Sequence, residues 1–262
     1  MKPLSQKEIS LVEENYLKHN SLRKVSRLLH FSPNTVKKYV FKKMKVKTHN
    51  IVKNIRLNDE RLIGAYIGIW MGDGTQYLDN GYRIKICCNK RNEKLNKFIQ
   101  EMLIKLFGKS SELIRVSGTN QAYIRFKSKF IFEFVYRYAQ FSHNKTQTVR
   151  LKEKINSYSK EFLEGCLLGL VLTDGYLKKI FHFNVISAGL ATNVMDMLKE
   201  SGLNPSCYIY QRAKYGWKDL YIIRLNVNES RKLKSFLDET IKEVGCKYSF
   251  EELKYNSGPA ES

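Results

Sequence analysis

Asp73 and Asp174 stand in two stretches of like sequence, NDERLIGAYIGIWMGDGT (58–75) and SKEFLEGCLLGLVLTDGY (159–176), offset by 101 residues. Three glycines recur in the same frame: Gly64 with Gly165, Gly68 with Gly169, and Gly74 with Gly175. One Asp-Gly step is an ordinary helix-ending turn. Two in one register, behind matched glycines, argue for a shared task. Each stretch reads as a helix, with Asn58 or Ser159 as N-cap and an acidic first turn. Glycines four apart share a helix face. A mid-helix glycine costs about 0.5–1 kcal/mol relative to Ala, a cost that makes sense where another backbone comes close. The two helices are therefore expected to pack on Gly64, Gly68, Gly165 and Gly169, pointing the same way about a pseudo-twofold axis. Their C-terminal ends then lie side by side and bring the two aspartates together. Paired carboxylates repel, and a helix C-terminus disfavours negative charge. A divalent oxygen-liganding cation offsets both, with nearby carbonyls joining the coordination.

The whole chain suits a polyanionic partner. Its 262 residues carry 46 Lys and Arg against 25 Asp and Glu, a net charge of +21, and nucleic acid is the commonest such partner. Residues 1–56 hold 14 of the basic and 3 of the acidic residues. At 43% apolar and 12% aromatic, the chain can bury a sizeable core and is not a disordered one. No apolar run spans a membrane, and the opening MKPLSQKEIS is not a secretory signal. Five cysteines without a CxxC, and five scattered histidines, give neither a disulfide framework nor a zinc site. A reducing cytoplasmic interior is the expected location, or an organelle matrix if the gene is organelle-encoded.

Residues 1–44 read as a small all-α domain. Ile9, Val12 and Tyr16 stripe a first helix, Gln6 to His19; Leu22, Val25, Leu28 and Leu29 stripe a second. His30-Phe31 turns, Ser32 caps and Pro33 opens a third helix running to Lys43, with Val36, Val40 and Phe41 inward and Lys37, Lys38, Lys42 and Lys43 outward. SLRKVSRLLHFSPNTVKKYV resembles a helix-turn-helix DNA-binding unit. The resemblance implies that Ser32, Asn34, Thr35, Lys37 and Lys38 meet bases or phosphates. Residues 45–57 form a basic linker, with Lys45, Lys47, Lys53 and Arg56 able to track phosphates.

Beyond the glycine helices, alternation marks strands at 83–87, 123–127, 181–185, 208–212 and 221–227, and helical spacing marks 95–107, 195–200 and 230–243. Each repeat, 58–157 and 158–255, reads helix, two strands, helix, two strands, helix, ahead of a tail at 256–262. The alternation puts Arg83, Lys85, Arg125 and Lys127 on one set of faces, with Lys178, Tyr208, Tyr210, Arg212 and Arg224 as second-repeat counterparts for phosphates and major-groove bases.

YIGIWMGDG (66–74) and LLGLVLTDG (167–175) resemble the paired motifs of the single-chain LAGLIDADG homing endonucleases. The sixth motif position, acidic in the name-giving sequence, is Met71 or Leu172; the acid at the eighth, the family's metal-binding one, is Asp73 or Asp174. The resemblance implies an α+β fold of two pseudo-twofold-related αββαββα repeats whose sheets form a saddle on DNA. It implies a monomeric, metal-dependent, site-specific double-strand endodeoxyribonuclease, encoded by an intron or similar element and acting at a long asymmetric target. Asp73 and Asp174, with the carbonyls of Gly72 and Thr173, would hold two or three Mg²⁺ ions (Mn²⁺ as substitute) that activate water for in-line attack. One compact acidic pair can serve both scissile phosphates across a minor groove about 6 Å wide. The family also places a basic residue beside the metals near the close of each repeat; Lys145 and Lys247 fit, with Lys152 and Lys254 as competitors. Two other readings share the scaffold: a non-catalytic DNA-binding transcription regulator, and a maturase bound to intron RNA. An intein is not expected, since no terminal His-Asn is present.

Overall fold

The computed structural model describes residues 4–19, 21–43, 58–78 and 81–255. The basic linker, the tail, and the side chains of Phe41, Lys42 and Lys43 lie outside the described residues. The chain divides into two compact units, residues 1–51 and 52–262.

Among its described residues the first unit holds three helices, α1 (Gln6–His19), α2 (Leu22–Leu28) and α3 (Pro33–Lys43). Val12, Val25, Val36 and Val40 make its core, flanked by Leu4, Tyr16, Leu22, Leu29, Phe31 and Tyr39. Leu28, placed in the apolar stripe by sequence, is exposed instead, because the helix ends there and the chain turns through a left-handed His30 (φ 51°). Ser21 caps α2 and Ser32 caps α3, the Ser32 hydroxyl accepting from the Thr35 amide at 3.1 Å.

The second unit is two copies of one pattern. The first runs α4 (Glu60–Asp73), β1 (Gly74–Leu78), β2 (Tyr82–Asn89), α5 (Glu93–Phe107), β3 (Glu112–Arg115), β4 (Gln121–Lys127), α6 (Lys129–Tyr138). A short β5 (Ala139–Gln140), α7 (Lys145–Thr148) and β6 (Arg150–Leu151) lead to the second: α8 (Lys160–Thr173), β7 (Gly175–Leu177), β8 (Phe181–Val185), α9 (Ala188–Glu200), β9 (Ser206–Tyr210), β10 (Leu220–Arg224), α10 (Val227–Glu243). A terminal α11 (Phe250–Tyr255) follows. The sheets are both antiparallel and share one order, β1-β2-β4-β3 and β7-β8-β10-β9. This is the α+β, doubly repeated αββαββα architecture read from sequence.

Several sequence-based bounds move. The cap of α4 is Asp59, not Asn58: its carboxylate accepts from the Leu62 amide at 3.0 Å, while Ser159 caps α8 as expected. The strand expected to end at Arg212 stops at Tyr210, and the one expected to reach Val227 stops at Arg224, because Asn226 caps α10.

The central pair α4 and α8 is apolar on every side. All residues from Leu62 to Met71, and all from Gly165 to Leu172, are buried. Such a helix belongs in an interior. Each lies against its partner on the glycine face. A methyl group on Gly64 would collide with the Phe162 carbonyl oxygen and lie 2.8 Å from the Cys166 nitrogen; one on Gly165 would collide with the Arg61 carbonyl and lie 2.8 Å from the Ala65 nitrogen. Residues 162 and 166 are the repeat partners of 61 and 65, so the contact is its own image under the 101-residue offset. Gly68 meets Cys166 and Gly169, and Gly72 meets Thr173 and Asp174, so the helices run parallel. Both C-termini therefore end at one place. At the other end Arg61 spans the pair, its guanidinium 2.6 Å from Glu164 and 3.1 Å from Glu243.

Candidate metal centre and nucleic-acid face

Asp73 is the last residue of α4 and Asp174 the C-cap of α8, its amide still donating to the Leu170 carbonyl at 2.9 Å. A methyl group on Gly72 would stand 2.9 Å from Asp174 Oδ2, so the Asp174 carboxylate reaches across to the residue beside Asp73. The helix pairing thus joins at one centre two acids 101 residues apart in the chain.

Both carboxyls are pushed above the ordinary range. Burial, with the charge of Asp174 adding, takes Asp73 up to about 6, against an opposing pull from Lys254 and Lys145. Asp174 keeps more contact with solvent, yet the backbone and side chains around it remove enough water to raise it too, again against the two lysines. The site therefore disfavours the ionised acids it presents, which is the electrostatic condition a bound cation relieves.

Lys145 stands at the C-terminal end of α4. Its ammonium Nζ donates to the carbonyls of Trp70, Met71 and Gly72 at 2.9, 2.8 and 2.9 Å and lies 4.9 Å from the Trp70 ring centroid. Lys247 does not fit: it is exposed, its Nζ 5.3 Å from the Tyr248 ring centroid. The second-repeat counterpart is Lys254 on α11, donating to the carbonyls of Leu172 and Thr173 at 2.8 and 2.9 Å. The chain between Asp174 and this lysine is eight residues longer than between Asp73 and Lys145. Equal spacing therefore pointed to the wrong residue; the amphipathic run FEELKY was the available signal for an extra helix. Each lysine ties up carbonyls at a helix C-terminus; that of Trp70 also accepts from the Gly74 amide. Burial drives both ammoniums down to about 8 while the two aspartates oppose the shift.

The donors at this centre are hard oxygens: two carboxylates and the terminal carbonyls of two helices. Among the described residues no three His, Cys, Asp or Glu side chains gather as a metal site, so this centre offers two carboxylates and otherwise only carbonyls. Cys87 lies near Asp73, but burial and the aspartate charge keep its thiol neutral. The set fits Mg²⁺ or Mn²⁺ and not a soft metal. Beside Asp73 opens a cavity of about 430 Å³ of mixed character, lined by Asn89, Asn120, Gln121 and Lys254 on one hand and Ile99 and Leu172 on the other.

The strands place the basic residues as the alternation required. Ile84, Ile86, Ile124 and Phe126 turn into the core. Arg83 and Lys127 are register partners on the other face, as are Lys85 and Arg125. Lys85 Nζ stands 3.7 Å from the Tyr123 ring centroid, and Arg125 pairs with Glu112 at 2.9 Å. In the second sheet Arg224 lies over Tyr208 (5.7 Å) and Tyr210 is exposed on the edge strand β9. Lys178 is exposed in the turn after β7, 5.5 Å from the Tyr255 ring. Arg212 departs from expectation: it lies beyond β9, its Nε donating to the Lys218 carbonyl at 2.8 Å and its guanidinium beside Trp217. Sequence reading passed over the exposed aromatics Tyr176, Tyr215 and Trp217, for which isolated aromatic residues gave no pattern. In the first unit, Ser32, Asn34, Lys37 and Lys38 are exposed and Thr35 is half-buried, its hydroxyl 2.8 Å from that of Ser32.

Solved structures share this fold. A mesophilic variant of the homing endonuclease I-DmoI superposes with a TM-score of 0.52 at 17% identity, over 69% of this chain and 96% of that one. I-DmoI in complex with DNA and Ca superposes with the same score and identity, over 69% of this chain and 91% of that one. The chain has the LAGLIDADG fold. Full-length DUF199/WhiA from Thermatoga maritima aligns with a TM-score of 0.49 at 13% identity, over 77% of this chain and 61% of that one. No protein-family model matches the sequence, and no curated protein does. In this LAGLIDADG-fold chain the helices that carry the motif-like stretches are α4 and α8, the glycines four apart in them are the packing glycines, and Asp73 and Asp174 end the two helices side by side.

Proposed function

We propose that the chain is a divalent-metal-dependent, site-specific double-strand DNA endonuclease of the homing type. The observation that carries this reading is the pair of aspartates held at one centre against their own repulsion. A structural C-terminus would do better with neutral residues there. Retaining both acids, each with a buried lysine, makes sense where a cation and a phosphate are handled.

Asp73 and Asp174 would hold Mg²⁺, or Mn²⁺ in its place. When bound, the metal supplies an acidified water and charge stabilisation at the scissile phosphate. The protein supplies the rest. The paired helices fix both carboxylates, and Lys145 and Lys254 hold positive charge where charge builds on the phosphorus oxygens. Arg83, Lys85, Arg125, Lys127, Lys178, Tyr210 and Arg224 present donors to phosphates and base edges of a duplex. I-DmoI has been solved with DNA and Ca and with DNA and Mn, which supports the same ligand classes for this chain. The first unit extends the contact through the start of α3, with Ser32, Asn34, Thr35, Lys37 and Lys38 nearest the groove.

The test is cleavage of a duplex carrying the uninterrupted sequence that flanks the gene, with Mg²⁺. Cutting of both strands is expected, with Asp73→Asn and Asp174→Asn each reducing double-strand cutting at least a thousandfold while duplex binding in Ca²⁺ stays within about threefold. Tight, selective binding with no cutting under any divalent ion would favour a DNA-binding regulator on the same scaffold.

A further inference from the structure

We propose that Lys145 and Lys254 are the centre's own counter-cations, competing with a divalent ion for the same oxygens. The proposal rests on the reading of Asp73 and Asp174 as a cation site.

The carbonyls assigned to the metal from sequence are those of Gly72 and Thr173. In the structure both accept from lysine: Gly72 from Lys145 at 2.9 Å, Thr173 from Lys254 at 2.9 Å. An ammonium has three donors. Lys145 spends one on each of three consecutive carbonyls, of Trp70, Met71 and Gly72, so none is left over for water. The same cap is built twice from unlike material. Lys145 opens α7 in SHNKTQTV, whereas Lys254 sits in α11 in FEELKY. Two unrelated segments delivering an ammonium to equivalent helix ends point to a requirement of the centre itself.

Charge balance gives the requirement its meaning. Two carboxylates and two ammoniums leave the centre neutral before any metal arrives. A dication entering alone would face two buried positive charges at close range and find two carbonyl ligands already engaged. Each scissile phosphodiester carries one negative charge, so a duplex brings two and restores neutrality around a bound dication. Cation binding at this centre is therefore weak in the free protein and strengthened by the substrate's own phosphates, and this keeps the free enzyme from holding activated water without DNA.

The competition is tested by calorimetric titration of Mn²⁺ into the full chain at pH 7 without DNA. Lys→Gln keeps an N–H donor for the carbonyls and removes the charge; Lys→Arg keeps both. The Lys145→Gln/Lys254→Gln protein is expected to bind Mn²⁺ at least tenfold more tightly than the natural chain. Lys145→Arg/Lys254→Arg is expected to stay within threefold. Adding Asp73→Asn to the glutamine variant should abolish the gain. Equal affinity in natural and glutamine proteins, with Asp73→Asn still abolishing binding, overturns the competition and leaves the cation site standing. Mn²⁺ binding indifferent to Asp73→Asn overturns the site, and the proposed function with it. If circular dichroism shows the double glutamine variant unfolded, Lys254→Gln alone is expected to tighten Mn²⁺ at least threefold, and no tightening overturns the proposal.

Discussion

At the residue scale, Asp73 holds a charge that the metal-free protein would be more stable without. Its carboxyl sits at about 6 against an ordinary 3.8, so the folded state favours the protonated acid. That contribution is complete below about pH 4 and is lost as pH rises through 6. A rise of this size corresponds to about 3 kcal/mol. In EDTA, urea unfolding is expected to show stability falling by about that amount between pH 4 and pH 7. Asp73→Asn should remove most of the slope and raise stability at pH 7. A protein destabilised by Asp73→Asn at pH 7 would show that the acid serves the fold and not a ligand. The aspartates were legible because duplicated spacing fixed them twice. The lysine of the second repeat was not, because equal spacing holds only where the chain between is of equal length; Lys254 reaches its place near the end of α11, eight residues later in its repeat than Lys145, which opens α7.

At the scale of elements, everything depends on α4 and α8 meeting without side chains between them. Gly165→Ala places a methyl group on the Arg61 carbonyl and within 2.8 Å of the Ala65 nitrogen, both rigid backbone. Alanine's better helix propensity returns only about 1 kcal/mol. Forced separation of packed helices costs more, so a net loss of at least about 2 kcal/mol is expected in thermal or urea unfolding. Mn²⁺ affinity should fall with it, since the two aspartates part when the helices do. Unchanged stability would show that the helices are not in backbone contact. The long elements were readable from periodicity. The strands β3 and β7 were not, because three or four residues carry too little alternation to register, and β1 was not because GTQYL does not alternate. Helix α6 was hidden too: KFIFEFVYRY mixes strand-like alternation with a helical face, and burial of Ile131, Phe132, Phe134 and Val135 against the core decides it.

For the whole molecule, net charge favours a polyanionic partner and the repeat sets the geometry. The front 56 residues carry more than half of the net positive charge, +11 of +21, and the three-helix unit among them shows Lys37 and Lys38 on the exposed side of α3. If that helix meets DNA, Lys37→Ala/Lys38→Ala in the full chain should lower the slope of log affinity against log salt by up to about 2 on a mixed-sequence duplex. An unchanged slope would place both lysines off the nucleic acid. The doubled fold was legible as a whole because one repeat predicted the other. The sequence of a nucleic-acid partner was not, since a strand face carrying Arg83, Lys85 or Arg224 offers charge and donors to any duplex alike.

If Asp73 and Asp174 together cut a chosen DNA sequence, break mapping shows it most directly. Purified protein with Mg²⁺ is incubated with a large plasmid library, the new ends are sequenced, and the natural chain is compared with Asp73→Asn and Asp174→Asn. Recurrent double-strand ends within one long sequence, present with the natural chain and absent with either variant or with EDTA, are the expected result. No recurrent ends, or ends that persist in both variants, would contradict that role for the two aspartates.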